Sequence, residues 1–447
     1  MRSSALRIPA DVLVAAAALL AWVSGIDGVF QFDDFNVIVD NPAVHSWAAW
    51  WASMPGIRPL LKASYTFNVT LGGSLPGFHL VNGGLHLVNA LLVRRIVERL
   101  LLGTGMVAGR CRHSALWSAI LFAVHPAQTE VVTYLSGRSN ALMALFLFAA
   151  VLAHAHAWES TAPKRWRLLG AVAFLAALAA KESAWSLPLI VAACERIAGR
   201  ADWRETFTRT AALWSVLVLL GLAVLIVPGY GRLLDASLAT RTLGRNLLAQ
   251  VDGLWYLVSG PLTGTALNID PDLRVSPVLG AGGMAKACAM LAAVGGVWYA
   301  GRSRPWLRLG LLWFGSALAA TNSVLPRIDI ANDRALYVPL VGVAWSLVAL
   351  VETSLRPRPA LVLGSVVVVA LLAATTLRNR DYRSEVALWT ATARASPAKA
   401  RVWNNLGYSL ERAGRTEGAR VAYRRALALD PGDVKARTNL ELMDAMR

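Results

Sequence analysis

Charge is scarce in this chain. Asp, Glu, Lys and Arg make up 16% of its 447 residues, where a soluble chain would carry about a quarter. Apolar residues account for 56%, and they gather in runs of about 17 residues or more, the length that crosses a hydrocarbon core of about 30 Å. A soluble globular enzyme is excluded; the composition is that of a polytopic α-helical membrane protein. Cysteine is scarcer still. Cys111, Cys194 and Cys288 lie in or beside the apolar runs, with neither metal spacing nor an even-numbered framework, which excludes a disulfide scaffold and redox chemistry. No Gly-rich phosphate loop, no His/Cys metal spacing and no Ser nucleophile elbow is present.

Acidic charge is the rarer sign: 44 basic side chains against 27 acidic ones leave a formal charge of +17. The excess sits in short loops between apolar runs, "VAGRCRH" (107–113), "ESTAPKRWR" (159–167), "ERIAGRADWRETFTR" (195–209), "GRSRPWLR" (301–308) and "SLRPRP" (354–359). That is the distribution of cytoplasmic loops under the positive-inside rule. No basic face is interleaved with aromatics, so a nucleic-acid partner is excluded.

With those loops inside, the apolar runs near 9–27, 79–101, 114–124 (extending to about 130), 141–157, 167–181, 183–198, 210–228, 278–300, 306–321, 337–353 and 360–377 give about eleven transmembrane helices. The N-terminus is then cytoplasmic and the C-terminus outside. Arg2 and Arg7 precede the first run as in a signal peptide, but no small-residue cleavage site follows, so it reads as a retained helix. "NLLAQVDGLWYLVSGPL" (246–262) is apolar enough to cross, yet crossing would put "GRSRPWLR" on the wrong side; an interfacial or re-entrant helix is expected. The outer face then receives 28–78, 125–140, 181–183, 229–277 and 322–336. In the first of these, Ser46 is placed to cap a short helix whose Trp47, Trp50, Trp51 and Met54 share one face. An indole stripe of this kind suits either the headgroup zone or packing against another outer helix.

Beyond residue 377 the composition turns soluble. In "SPAKARVWNNLGYSLERAGRTEGARVAYRRALALDPGDVKARTNLELM" (396–443), Trp403, Leu406, Gly407, Ala419, Tyr423, Ala426 and Pro431 follow the 34-residue tetratricopeptide pattern, with Leu410 in place of the usual Tyr. Small Gly407 and Ala419 let two helices approach, and Pro431 stops the second. The flanking segments 384–397 and 434–446 are expected to be helices that cover its open faces. The expected division is a transmembrane domain over 1–377, with 28–78 as its principal outer loop, and a repeat tail over 378–447. The tail serves either as a stabilising cap or as a groove for a protein partner.

The polar residues that are not merely basic collect on the outer face: "FDDFN" (32–36), "RPLLKASYTFN" (58–68), "HPAQTEVVTYLSGRSN" (125–140), "KES" (181–183) and "NDRALYVP" (332–339). The acids are Asp33, Asp34, Glu130 and Glu182; the bases are Arg58, Lys62, His125, Arg138, Lys181 and Arg334. Ionisable residues at membrane-helix ends are functional candidates. Cations suit a phosphate, the guanidinium fork above all, and a carboxylate suits deprotonation of a hydroxyl acceptor. These residue types fit displacement of a phosphate leaving group.

In order along the chain, "FQFDDFNVIVDNPAV", "RPLLKASYTFN", "GFHLVNGGLHLVNALLV", "FAVHPAQTEVVTYLSGRSNALMALFLF", "KESAWSLPLIV" and "DRALYVPLVG" resemble the landmarks of the transmembrane-and-tetratricopeptide O-mannosyltransferases and their bacterial relatives, within the GT-C superfamily. The likeness covers most of the chain and is weakest across 200–320. It implies a polyprenyl-phosphate sugar donor, a hexose such as mannose, and a hydroxyl acceptor, Ser or Thr of a protein. It places the catalytic carboxylate in the first outer loop at Asp33 or Asp34, with Asp33 favoured as base and Asp34 orienting it or binding the sugar. Arg138 and Arg334 are then candidates for the donor phosphate, against the alternative of salt bridges to Glu130, Glu182 or Asp333. Glu130, His125, Lys181, Glu182 and Arg58 are further candidates for the donor and its sugar. Their bland alternatives are a helix-end hydrogen bond for His125, a Lys181–Glu182 pair and headgroup contact for Arg58. No cofactor is implied and no ligand spacing demands a metal, although the four acids leave room for a divalent ion. The location implied is a bacterial inner membrane, with site and tail in the periplasm. The family's long repeat arrays are reduced here to about one and a half units. The competing classes are an oligosaccharide polymerase or ligase, a transporter, and a non-enzymatic membrane scaffold.

Overall fold

The apolar runs fold as helices, and proline and hydroxyl side chains mark where they start. The computed structural model describes residues 8–276 and 278–445; Arg2 and Arg7, the basic flank of the first run, lie outside the described residues. Among these the chain is helical throughout, without a strand. In order the helices are α1 Ala10–Val23, α2 Trp47–Ala52, α3 Pro59–Thr70, α4 Leu75–Gly103, α5 Ala108–Val124, α6 Thr129–Val132, α7 Arg138–Ala157, α8 Pro163–Ala180, α9 Leu187–Ile197, α10 Trp203–Ile226, α11 Pro228–Thr240, α12 Leu243–Ser259, α13 Ala281–Ala300, α14 Pro305–Ala319, α15 Pro339–Ser354, α16 Pro357–Asp381, α17 Glu385–Ala395, α18 Ala400–Arg412, α19 Thr416–Leu429 and α20 Val434–Ala445. Proline opens α3, α4, α8, α9, α14, α15 and α16, where its missing N–H would have had no helical partner and its fixed φ suits the first turn. Ser46, Ser74, Thr242 and Ser384 cap α2, α4, α12 and α17 by accepting a first-turn N–H. Ser46 therefore plays the part expected of it, although α2 stops at Ala52; Trp47 and Trp51 face outward, while Trp50 turns in and donates to the Pro59 carbonyl at 2.9 Å.

By length and composition, five helices can cross a membrane: α4, α7 with the turn before it (Leu135–Ala157), α10, α13 and α16; α1 and α15 are shorter apolar helices. The chain is a membrane protein. Five is fewer than the eleven runs, because several runs fold as shorter helices: α9 has 11 residues and α14 has 15, against about 20 for an upright crossing. The 246–262 segment forms α12, which is not among the five. Its buried Asn246 donates to the carbonyls of Ser323 and Val324 at 2.8 and 2.9 Å, and its Gln250 accepts from Asn322 at 3.0 Å. The helix thus packs along the 320–332 segment.

The core lies between α4, α5, α7, α14 and α15, lined by many small side chains such as Ala90, Ala115, Ala119, Ala141 and Ala144. Small residues let membrane helices approach closely where lipid supplies no hydrophobic drive. The α14–α15 crossing is close enough to need glycine on both sides: a Cβ on Gly310 would sit 2.8 Å from the Gly342 carbonyl, and one on Gly342 2.7 Å from that of Gly310.

The tail stacks α17, α18, α19 and α20 in sequence. A Cβ at Gly407 would lie 2.6 Å from the Tyr423 ring, and Ala419 is fully buried, the close approach expected of these two positions. The tail is docked against the membrane domain. Lys399 donates to Asp270 at 2.5 Å, the Asn268 side chain donates to the Ser396 hydroxyl at 2.7 Å, and the Phe32 and Trp389 rings meet edge-on at 5.4 Å.

Candidate active site

One end of the bundle gathers the loop that follows α1, the turns at 125–137, 181–186 and 320–339, and the face of the tail. The loop enters through Phe32, whose φ of 46° is left-handed, a conformation that costs a non-glycine residue about 1–3 kcal/mol and clusters at functional sites. Gln31 fastens the loop to the end of α16 through the Tyr382 carbonyl, and a single π-helical turn follows at Phe35–Val39.

The two aspartates have unlike surroundings. Asp34 is fully buried and accepts from the Gln31 N–H at 3.0 Å, the Ser136 N–H at 2.7 Å and the Ser136 hydroxyl. Burial pushes its carboxyl up to about 7, against the pull of those hydrogen bonds. Asp33 is half-buried; its N–H donates to the Tyr134 hydroxyl at 3.0 Å. Its carboxylate makes no hydrogen bond or ion pair among the described residues, and it lines a hollow with Glu130, Asp270, Asp329, Arg334, Trp389 and Arg401.

Arg334 is the hinge of the arrangement. Its main-chain N–H donates to Glu130 at 2.9 Å, and its Nε lies 3.5 Å from the other Glu130 oxygen. Its terminal nitrogens have no partner among the described residues. Arg334 also lines a second, largely apolar hollow with Asn140, Met143, Leu147, Ala317 and Val338. Its neighbour Asp333 turns away, accepting from the Tyr256 hydroxyl and the Asn268 N–H, each at 2.7 Å. Burial, and then Glu130, push the Asp333 carboxyl up to about 7.

Cations outnumber their bonded carboxylates here. Lys181 donates to the Asn140 side-chain oxygen at 2.8 Å and lies in the positive field of Arg334, Arg58 and Arg327. The Lys181–Glu182 pair, the alternative to a donor-binding role, does not form. Glu182 instead accepts from the Arg58 fork, at 3.0 Å from Nε and 2.8 Å from Nη2, with Arg58 itself left-handed (φ 51°) at the start of α3. Arg327 was not among the sequence candidates. Its side chain makes no bond among the described residues, and burial and the neighbouring Arg334 pull it down to about 10. The available signal was the pair of arginines in "LPRIDIANDR" (325–334), of which only Arg334 was taken up.

Two candidates sit elsewhere. Arg138 is fully buried, and each of its nitrogens donates within the protein: Nε to Asn82 at 2.7 Å, Nη1 to the Ser64 carbonyl and Nη2 to the Phe78 carbonyl, both at 3.0 Å. Its guanidinium lies 4.7 Å from the Tyr65 ring centre. Neither a phosphate site nor the alternative salt bridge is formed, since carbonyls and aromatic faces already surround it. His125 uses both ring nitrogens, accepting from the Ala127 N–H at 3.2 Å and lying 3.1 Å from the Leu262 carbonyl, the helix-end role. Among the described residues no three His, Cys, Asp or Glu side chains are grouped to hold a metal ion.

Fold and site thus define a class: a helical membrane protein whose extramembrane turns bring cations and carboxylates together under a docked tetratricopeptide tail. The comparisons agree with the motif-based resemblance. The tetratricopeptide repeat family model matches residues 400–433. The chain is 26% identical, over 94% of its length and 62% of the relative's, to a protein O-mannosyl-transferase of Caenorhabditis elegans. It is 26% identical to the protein O-mannosyl-transferase TMTC3 of Mus musculus over 96% of its length and 52% of the relative's. It is 25% identical to TMTC4 of Mus musculus over 93% of its length and 66% of the relative's. The chain therefore spans between half and two thirds of the length of these curated relatives. No solved structure matches it.

Proposed function

We propose that this chain is a glycosyltransferase that moves a hexose, mannose in the first instance, from a polyprenyl-phosphate donor to a Ser or Thr hydroxyl of a protein. The observation that carries the proposal is the position of Arg334 between two hollows, one polar and holding Asp33, the other largely apolar with Met143, Leu147 and Val338 among its lining. A lipid-phosphate sugar has the same order of parts: apolar chain, anion, polar sugar. The phosphate binds the free end of the Arg334 fork, with Arg327 and Lys181 adding positive charge. The prenyl chain leaves past Met143 and Leu147, and the sugar lies toward Asp33 and Glu130.

Asp33 is the base. The acceptor oxygen attacks the anomeric carbon, its proton passes to the Asp33 carboxylate, and the bond from that carbon to the phosphate oxygen breaks. The electron pair leaves with polyprenyl phosphate, whose charge the cations hold. A one-step displacement of this kind inverts the anomeric carbon and needs a single carboxylate. Asp34 acts as a positioning residue, fixing the loop through Ser136. The reading places the reaction on the outer face of a bacterial inner membrane, with about eleven crossings within 1–377, a cytoplasmic N-terminus, and the 378–447 tail beside the site.

The test uses the full chain in nanodiscs with a polyprenyl-phosphate mannose and a Ser/Thr peptide. Mannosyl peptide is expected from the native protein, and Asp33→Asn is expected to lose about 10²–10⁴-fold in rate without loss of thermal stability. Full transfer by Asp33→Asn would remove Asp33 from the mechanism, and transfer only to a glycan acceptor would make the enzyme a polymerase.

A further inference from the structure

The hollow around Asp33 carries more negative charge than the reaction uses. Asp33, Glu130, Asp270 and Asp329 share it with only two guanidiniums, Arg334 and Arg401. Arg401 belongs to the tail. It donates from Nε to Asp270 at 2.8 Å and from Nη2 to Asp329 at 2.6 Å, while its Nη2 also bonds the other Asp270 oxygen. Asp270 has a second cation in Lys399 at 2.5 Å. Asp329 has no second bonded cation among the described residues. Burial pushes the Asp329 carboxyl up, but Arg401 first, then Arg334 and Lys399, together hold it below its ordinary value.

We infer that Arg401 is a positioning residue of the transfer site: by satisfying Asp329, it keeps that carboxylate from capturing the free end of Arg334, which stays open to the donor phosphate. The repeat tail is on this account a wall of the donor site. This rests on the reading of Arg334 as phosphate ligand given above. Removing Arg401 leaves a half-buried carboxylate in the hollow it shares with Arg334, the cation that acts on it most after Arg401, and such a carboxylate gains from a charge-assisted bond to another guanidinium. The fork of Arg334 turns to Asp329 and the phosphate loses its ligand. Docking of the tail survives, because Lys399–Asp270, Asn268–Ser396 and Phe32–Trp389 remain.

The experiment measures steady-state transfer by the full chain in nanodiscs, varying polyprenyl-phosphate mannose and acceptor peptide separately. Arg401→Gln is expected to raise the donor KM about tenfold or more while the peptide KM holds. Adding Asp329→Asn to Arg401→Gln removes the competitor and is expected to restore the donor KM, a rescue that lost packing could not produce. Lys399→Gln, which loosens docking without lining the hollow, is expected to lower the melting temperature and leave the donor KM alone. A rise in peptide KM instead would make the tail an acceptor surface and overturn the inference, as would absence of rescue in the double variant. The premise fails separately: if the native chain transfers nothing from the lipid donor, or Arg334→Ala keeps the native donor KM, the function reading falls first.

Discussion

The carboxylate of Asp34 accepts from both the main-chain N–H and the hydroxyl of Ser136, joining two loops that are 102 residues apart in the chain. The bond fixes the peptide that precedes it, and with it Asp33. Two like charges side by side are tolerable because they face different media: one is sealed inside the protein, the other opens on a hollow with arginines across it.

Burial of Asp34 makes stability depend on pH. Its folded-state value is raised from 3.8 to about 7, so between those values the folded protein binds a proton that the unfolded chain has released. The stability contributed by Asp34 is therefore fully present below about pH 4 and is lost as pH rises through 7, by an upper bound of about 4 kcal/mol at 1.36 kcal/mol per unit. Asp333, raised in the same way to about 7, adds to the slope. Thermal melts in detergent between pH 5 and 8 should show a falling melting temperature for the native chain and a shallower fall for Asp34→Asn. An equal slope in both would assign the dependence to other groups.

Arg138→Met should act on stability and leave donor binding alone. It deletes a buried cation, orphans the Asn82 side-chain oxygen and strips a second bond from the helix carbonyls of Ser64 and Phe78, at about 1–3 kcal/mol for the buried oxygen left unpaired. Lower yield and an earlier melt are expected, with an unchanged donor KM in whatever folds. A melt matching the native protein together with a raised donor KM would return Arg138 to the phosphate.

The contrast between Arg138 and Arg334 shows how far the sequence can be read. Helices, the tetratricopeptide pattern, the Ser46 cap and the gathering of 32–36, 58–68, 125–140, 181–183 and 332–339 at one end were all legible, because they follow from local composition, spacing and the placing of basic loops. Which arginine keeps a free end was not. That depends on partners far away in the chain: Ser64, Phe78 and Asn82 for one, Glu130 and two hollows for the other. Pairing is equally non-local, so Glu182 chose Arg58, 124 residues away, over its own neighbour Lys181. Arg401 was invisible as a site residue because its position in the repeat is a tail position until the tail docks.

Arg334→Lys tests whether the phosphate needs a fork or only a charge. Lysine keeps the positive charge but loses the planar donors that meet two phosphate oxygens at once. A donor KM raised about tenfold, with little change in peptide KM, is the expected result. Arg327→Gln should give a smaller rise of the same kind, since Arg327 supplies field beside Arg334. Equal effects at the two positions would shift the phosphate toward Arg327.

Gly407→Val tests whether tail packing is transmitted to the site. The α18–α19 contact leaves no room for a Cβ at 407, which would meet the Tyr423 ring at 2.6 Å, and overpacking of this kind costs about 1–3 kcal/mol. Tyr423 also donates to Glu411 at 2.6 Å, so displacing the ring breaks a second contact within the repeat. Arg401 stands at the start of α18, about 1.7 helical turns before Gly407, and α18 cannot tilt away from α19 without moving it. Gly407→Val should therefore lower the melting temperature and raise the donor KM together, in the direction of Arg401→Gln but by less. A destabilised tail with a native donor KM would mean that Arg401 is held by Asp270 and Asp329 alone, whatever the repeat behind it does.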